Sequence, residues 1–333
     1  MEKTKTVAAK PDWKKIIMKN YSVLVVILMI IIFTVMEPNF LNSMNIVNLL
    51  SDSAPLMIMA AGMTPILILG SIDLSLGSMC SVANVLMLAI MLGMKDSISS
   101  PVLIFILALV ITLAAGVAGG IILGLIHVKL KVPSFIASLA FMSVWDSVAL
   151  MITSSPVKLP KALKMTADWY KIQIGPIGLP LILAILVILL YHFVLTRTAF
   201  GRGIFAIGGN ERSARIAGIK VDLYKVIVFA MNGFCAALGA MFLLVKAKSS
   251  APTVGESFTL MVISAVVAGG TSLVGGSGSL LKSIVGVFII SIIKNGMNMV
   301  GVNVYWQKVV YGIIILLAVA ISVDRTSRSR IVK

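Results

Sequence analysis

The sequence predicts an all-α, polytopic integral membrane protein with about ten transmembrane helices. Three observations carry that expectation. Of 333 residues, 59% are hydrophobic and only 12% charged, the mean hydropathy is +1.08, and apolar stretches recur from Tyr21 nearly to the C-terminus. A crossing helix needs roughly 20 mostly apolar residues, because each backbone N–H and C=O must be satisfied within the segment. Charges this sparse could not cover the surface of a water-soluble protein of this size.

Between breakers, the apolar runs fall near 20–36, 46–69, 76–93, 102–126, 134–152, 177–195, 225–245, 258–274, 280–300 and 306–323. Pro55 and Pro65 interrupt the second, and a glycine cluster ends the eighth. The first run follows Lys14, Lys15 and Lys19, as a signal peptide would. Glu37-Pro38-Asn39 then stands where a small-residue cleavage site belongs, so the run reads as a retained helix. The chain divides into an N-terminal tail (1–19), a single transmembrane domain (20–323) and a C-terminal tail (324–333), and the longest polar insertion covers 196–225.

The net charge of +16 does not indicate a nucleic-acid partner, because the basic residues sit in short clusters between apolar runs. Their placement is topological. Lys and Arg stay preferentially on the cytoplasmic side, and with both termini there the cytoplasmic segments hold six before Asn20, two at 127–133, six at 196–225 and four at 324–333. The loop 153–176 is then external despite Lys158, Lys161, Lys164 and Lys171. Cys80 and Cys235 lie in apolar runs with no disulfide or zinc spacing and read as packing residues. His127 and His192 are the only histidines, so the clustered acid–base or metal ligands that an enzyme needs are missing, and no catalytic, cofactor or metal site is expected.

Polar and glycine-rich residues break the apolar pattern in four places. Gly70 to Ser78, GSIDLSLGS, puts Asp73 and Ser75 between two apolar runs, where Asp73 either lines a path or caps the next helix. Ala268 to Ser279, AGGTSLVGGSGS, carries five glycines and permits an irregular reversal with close helix approach. The two stretches echo each other, 70–78 against 269–277, with four of nine positions identical at an offset of 199. Repeated halves with a pathway between them are common in transporters. Gly276 to Ser283 imitates a phosphate-binding loop, but Leu281 occupies the position of the required glycine before Lys282, so ATP chemistry belongs to another chain.

The third place is 196–225. Glu211 to Ala217 can form a short helix with Asn210 as N-cap and Gly218 as its stop, a surface on which a soluble partner could dock. The fourth is the end of the last two runs, with Asn295, Asn298, Asn303 and Gln307. Asn295 and Asn298 lie three apart on one face and suit either an interhelical hydrogen bond or a solute path, and Tyr305 and Trp306 suit interfacial anchors. Asp73, Ser75, Thr271, Asn295 and Asn298 are the candidates for a translocation pathway.

At these residues the chain resembles the ribose/xylose/galactoside-type permeases of bacterial ABC importers. The matching stretches are GSIDLSLGS (70–78), KVPSFIASLA (131–140), GRGIFAIGGNERSARIAGI (201–219), VISAVVAGGTSLVGGSGS (262–279) and GVNVYWQKVVYGIIILLAVA (301–320). The resemblance implies a multi-pass subunit of the bacterial cytoplasmic membrane working with a second permease copy, two cytoplasmic ATP-binding subunits that carry the ATP and Mg, and an extracytoplasmic substrate-binding protein. It also implies an ATPase-coupling segment at Gly208, Gly209, Asn210, Glu211, Arg212, Arg215 and Gly218. Where the family shows an acidic pair in ELDAIAAVV, this chain has Thr259 and Met261, and an Asn-Gly at the end of the fourth run is Leu123-Gly124. The alternative is an ion-gradient-driven secondary transporter of a small polar solute, for which Asp73 and Lys294 are the available intramembrane ionisable groups.

Overall fold

The computed structural model describes residues 21–175 and 177–322; the two predicted tails, 1–19 and 324–333, lie outside them. Among the described residues twelve α-helices follow in order: α1 (Tyr21–Met36), α2 (Ser43–Ile68), α3 (Leu76–Met94), α4 (Pro101–Lys129), α5 (Ser134–Ile152), α6 (Leu179–Arg197), α7 (Ala199–Gly209), α8 (Glu211–Ile216), α9 (Val221–Ala247), α10 (Phe258–Ala268), α11 (Leu280–Met299) and α12 (Val304–Ser322). A helix occupies each of the ten apolar runs. Seven of them, α2 to α6, α9 and α11, are long and apolar enough to cross a membrane, whereas the apolar parts of α1 and α10 are shorter. The predicted eighth run, 258–274, is helical only as far as Ala268, because Gly269 and Gly270 end it.

Helix α2 is the axis of the bundle and is buried continuously from Ser53 to Ile68. Against expectation, its two prolines leave it one uninterrupted helix. A proline cannot donate to the carbonyl four residues earlier. For Pro55 that carbonyl is Ser51 O, and the Tyr170 hydroxyl donates to it at 3.1 Å. Tyr170 comes from the 153–176 loop, whose 3-10 helix Lys161–Lys171 folds back over the bundle end; Trp169 packs edge-on against Phe242 of α9. Lys248 pairs with Asp168 at 2.7 Å, and this hydrogen bond holds the Asp168 carboxyl below its ordinary pKa.

The helices approach closely where side chains are absent. Gly116, Gly120 and Gly124 form a stripe on α4 that meets α9, and a methyl group on Gly116 would sit 2.5 Å from the Gly233 carbonyl. In lipid, where apolar burial gives little drive for association, such small-residue contacts hold helices together. The outer faces of α1, α4, α5 and α6 carry exposed Leu, Ile, Val and Phe, as a lipid-facing surface requires. Cys80 and Cys235 are both fully buried, consistent with their reading as packing residues.

The sequence echo has a structural counterpart, but one residue out of the predicted register. Helix α2 ends with Gly70 N–H on Leu67 O and Ser71 N–H on Ile66 O. Helix α10 ends with Gly270 N–H on Val267 O and Thr271 N–H on Val266 O. Both are the same glycine-terminated cap, with φ of +75° at Gly70 and +96° at Gly270. The equivalence therefore runs at an offset of 200, and Gly70 answers Gly270. Because Gly269 and Gly270 are adjacent, the sequence could not distinguish them.

Candidate functional site

Three constellations surround these two helix breaks. The first is the turn after α2. Asp73 is buried, and its Oδ1 accepts from Ser75 N (2.8 Å) and Ser75 Oγ (2.6 Å), while Oδ2 accepts from Asn232 Nδ2 of α9 at 2.8 Å. Asp73 thus shapes the turn entering α3 and ties it to α9. One free N–H at the start of α3 is met from another helix: Thr259 Oγ1 accepts from Gly77 N at 2.8 Å and donates to Leu74 O. Thr259, where the resembled family has an acid, works here as a helix-end cap. Asp73 and Ser75 border a void of only about 10 Å3, room for at most one water. Thr271 is fully buried, with its hydroxyl 3.2 Å from Ser283 Oγ, which in turn accepts from Thr64.

The second constellation is a pair of polar cavities at the end of the bundle where α2 begins. One, about 150 Å3, is lined by Asp52, Lys246, Ser291, Lys294, Asn295 and Asn298. The other, about 210 Å3, is lined by Glu256, Met261, Lys294, Gln307, Lys308 and Tyr311 among others. Lys294 borders both. Asn295 makes a reciprocal amide pair with Asn45 (3.0 and 2.9 Å), and Asn298 accepts from Gln307 at 2.7 Å. The two asparagines therefore tie α11 to its neighbours and face the first cavity as well. Of the residues expected along a pathway, Asn295 and Asn298 meet here, while Asp73, Ser75 and Thr271 do not. Asp52, Lys246, Glu256 and Lys308 are single charges at or near the ends of four different apolar runs, far apart in sequence, so only the fold reveals their convergence. Tyr305 and Trp306 are largely exposed beside this end.

The third lies at the opposite end. Asn210 Oδ1 accepts from Ser213 N at 2.9 Å and starts α8, and Gly218, at φ +83°, stops it. Glu211 is held by Lys225 (2.8 Å) and Arg215 (3.4 Å), and Arg215 also binds Asp222 at 2.7 Å. Burial alone would raise the Glu211 pKa, but these cations bring it below the ordinary carboxylate range. The hydrogen bond from Arg215 lowers Asp222 likewise. Arg212 and Ile216 point outward, Ile216 with 79% of its surface exposed.

Just before α8, the end of α7 packs against both helix breaks. A methyl on Gly208 would overlap the Ile68 carbonyl and lie 2.6 Å from Gly276 N. One on Gly275 would lie 2.8 Å from Gly70 Cα, and Gly276 N–H donates to Ile68 O at 2.8 Å. Three backbones are thus in direct contact at Gly208, Gly70 and Gly275–Gly276.

A bundle of apolar helices with a discontinuous centre, polar cavities at one end and an exposed polar helix at the other suits a transport protein. Comparison with known proteins specifies the class. The chain belongs to the family described as the branched-chain amino acid transport system / permease component, whose profile matches residues 45–319. It is 34% identical to the ribose import permease protein RbsC of Escherichia coli (strain K12) over 96% of this chain and 98% of that one. To the ribose import permease protein RbsC of Bacillus subtilis (strain 168) it is 37% identical over 88% of each. To the galactose/methyl galactoside import permease protein MglC of Escherichia coli (strain K12) it is 31% identical over 93% and 95%. No solved structure matches the chain.

Proposed function

We propose that this chain is the transmembrane subunit of an ATP-driven importer for a sugar or similar small polar solute. The observation that carries the proposal is the Gly208 contact. The docking helix α8 is joined, through one backbone-to-backbone junction, to the ends of both discontinuous segments of the bundle. A push on α8 from a soluble subunit would reach the helix breaks without passing through flexible side chains. The solute class is supported by the sugars in the names of the relatives and by the polar cavities.

In this reading 20–323 is a single permease domain, all ten apolar helices cross the cytoplasmic membrane, and both termini are cytoplasmic. Helix α8, with Gly208, Gly209, Asn210, Glu211, Arg212, Arg215 and Gly218, then faces the cytoplasm, and the Lys294 vestibule opens outward. Two ATP-binding subunits, which supply ATP and Mg, dock at the two copies of α8. A substrate-binding protein delivers solute to the vestibule. Each cavity is smaller than the roughly 300–1,000 Å3 of a complete ligand pocket, in keeping with a second permease copy that completes the pathway. Transport follows when ATP-dependent closure of the ATPases shifts the pair between outward and inward openings.

The test is purification of the chain from its native membrane in mild detergent, followed by identification of what accompanies it. An ATPase with an intact GxxxxGK[ST] loop is expected. Recovery of the chain alone in every detergent tried, with solute movement intact, would contradict the proposal.

A further inference from the structure

The vestibule has a charge surplus that a neutral solute does not explain. Three lysines and two carboxylates line its two cavities. Asp52 is taken up by Lys246 at 2.6 Å. Glu256 lines the second cavity beside both Lys308 and Lys294, and makes no ion pair with a described residue within 4.0 Å. Lys294 likewise makes no ion pair within 4.0 Å with a described residue; the Asp52 carboxylate in the same cavity acts on it electrostatically but is engaged by Lys246. The Lys294 ammonium sits 5.7 Å from the centre of the Phe258 ring, a contact that stabilises a cation weakly but does not neutralise it. An ammonium on a membrane-embedded helix, in reach of two polar cavities and unpaired, is costly unless the site is completed by an anion.

Resting on the reading of this chain as a solute permease, we infer that the transported solute carries an anionic group, a carboxylate or a phosphate, which Lys294 receives in the outward vestibule. The solute class is then an acidic sugar or comparable polyhydroxy acid. Lys294 supplies the charge, and Asn295, Asn298 and Gln307 offer amides for hydroxyl groups. Met261 gives the second cavity an apolar wall, and the one acid there, Glu256, is outnumbered by Lys294 and Lys308. A lipid headgroup could offer the same anionic chemistry, and the test separates the two sources.

The experiment uses the complete importer, with its ATPase and binding protein, in proteoliposomes. ATP-dependent uptake is measured for matched neutral and acidic sugars, D-galactose against D-galacturonate and D-xylose against D-xylonate, in wild type, Lys294→Gln and Lys294→Arg. Charge-assisted hydrogen bonds are worth about 1.5–3 kcal/mol, so Lys294→Gln should lower uptake of the acidic sugar by about 10- to 100-fold. Uptake of the neutral partner should change less than about twofold, and Lys294→Arg should restore most of the loss. Equal effects on neutral and acidic sugars, or uptake of neutral sugars only, would overturn the inference and leave the importer reading standing. A Lys294 effect that appears with anionic lipid and vanishes in phosphatidylcholine vesicles would assign the charge to a headgroup and also overturn it. ATP-independent uptake of both sugars would overturn the importer reading and the inference together.

Discussion

Replacing Glu211 by lysine is expected to cut solute uptake at least about tenfold while ATP hydrolysis by the complex continues and the chain inserts normally. Glu211 accepts from Lys225 at 2.8 Å and from Arg215 at 3.4 Å, and Arg215 is shared with Asp222. Reversing the charge sets an ammonium against both cations and turns the first residue of α8 from a favourable acid at a helix N-terminus into an unfavourable base. Glu211 and Arg215 are substantially exposed, at 45% and 52%, so their pair contributes only about 0.2–1 kcal/mol to stability, while Lys225, at 12%, gives the second pair a more sheltered setting. Folding should survive. Coupling between sites, by contrast, typically involves about 1–3 kcal/mol, or about 5- to 150-fold, and misplacing the docking helix removes it. The charge cluster is intact at neutral pH. Because the folded-state pKa values of Glu211 and Asp222 are lowered, their contribution is present above the ordinary carboxylate range and lost only as pH falls through the lowered values. Uptake and ATPase rates measured on one preparation at pH 7 check this expectation, and normal coupling in the variant would refute the docking role of α8.

Two adjacent glycines should respond to the same substitution with opposite signs. In a helix, Gly→Ala ordinarily stabilises by about 0.5–1 kcal/mol. At Gly209 a methyl group meets nothing within 4 Å, so Gly209→Ala should be neutral or mildly stabilising. At Gly208 the methyl overlaps the Ile68 carbonyl and crowds Gly276 N, both backbone atoms with no rotamer to give. Gly208→Ala must therefore push α7 away from the two helix breaks, at a cost of about 1–3 kcal/mol or more. A lower midpoint of thermal unfolding in detergent is expected for Gly208→Ala and not for Gly209→Ala. If both variants matched wild type, the close backbone junction would be wrong.

The apolar runs made the helices legible in sequence, because a bilayer leaves a backbone few alternatives and hydropathy reports that directly. Short-range chemistry was legible too: Asn210 and Gly218 bound α8 as their side-chain and backbone preferences predict. The behaviour of Pro55 was not, since the group that satisfies Ser51 O is Tyr170, 119 residues away. Nor was the partner of Asp73. Asn232 sits in an apolar run on α9 with nothing in its spacing to single it out, and only the fold brings it within 2.8 Å. The Gly116–Gly120–Gly124 stripe could have been read from its four-residue spacing as a helix-contact face. The vestibule was half legible: Asn295 and Asn298 stand out as polar residues in an apolar run, whereas Asp52, Lys246, Glu256 and Lys308 are single charges at or near the ends of four different runs, which nothing in their spacing brings together.

The central claim is that ATP hydrolysed on a partner chain drives solute through this one. The most direct measurement is uptake by proteoliposomes containing the co-purified complex, with and without enclosed ATP, and with and without an ionophore that abolishes proton and sodium gradients. The account predicts uptake that requires ATP and is unchanged by the ionophore. Uptake that persists without ATP and collapses with the ionophore would contradict it and identify the chain as an ion-driven secondary transporter.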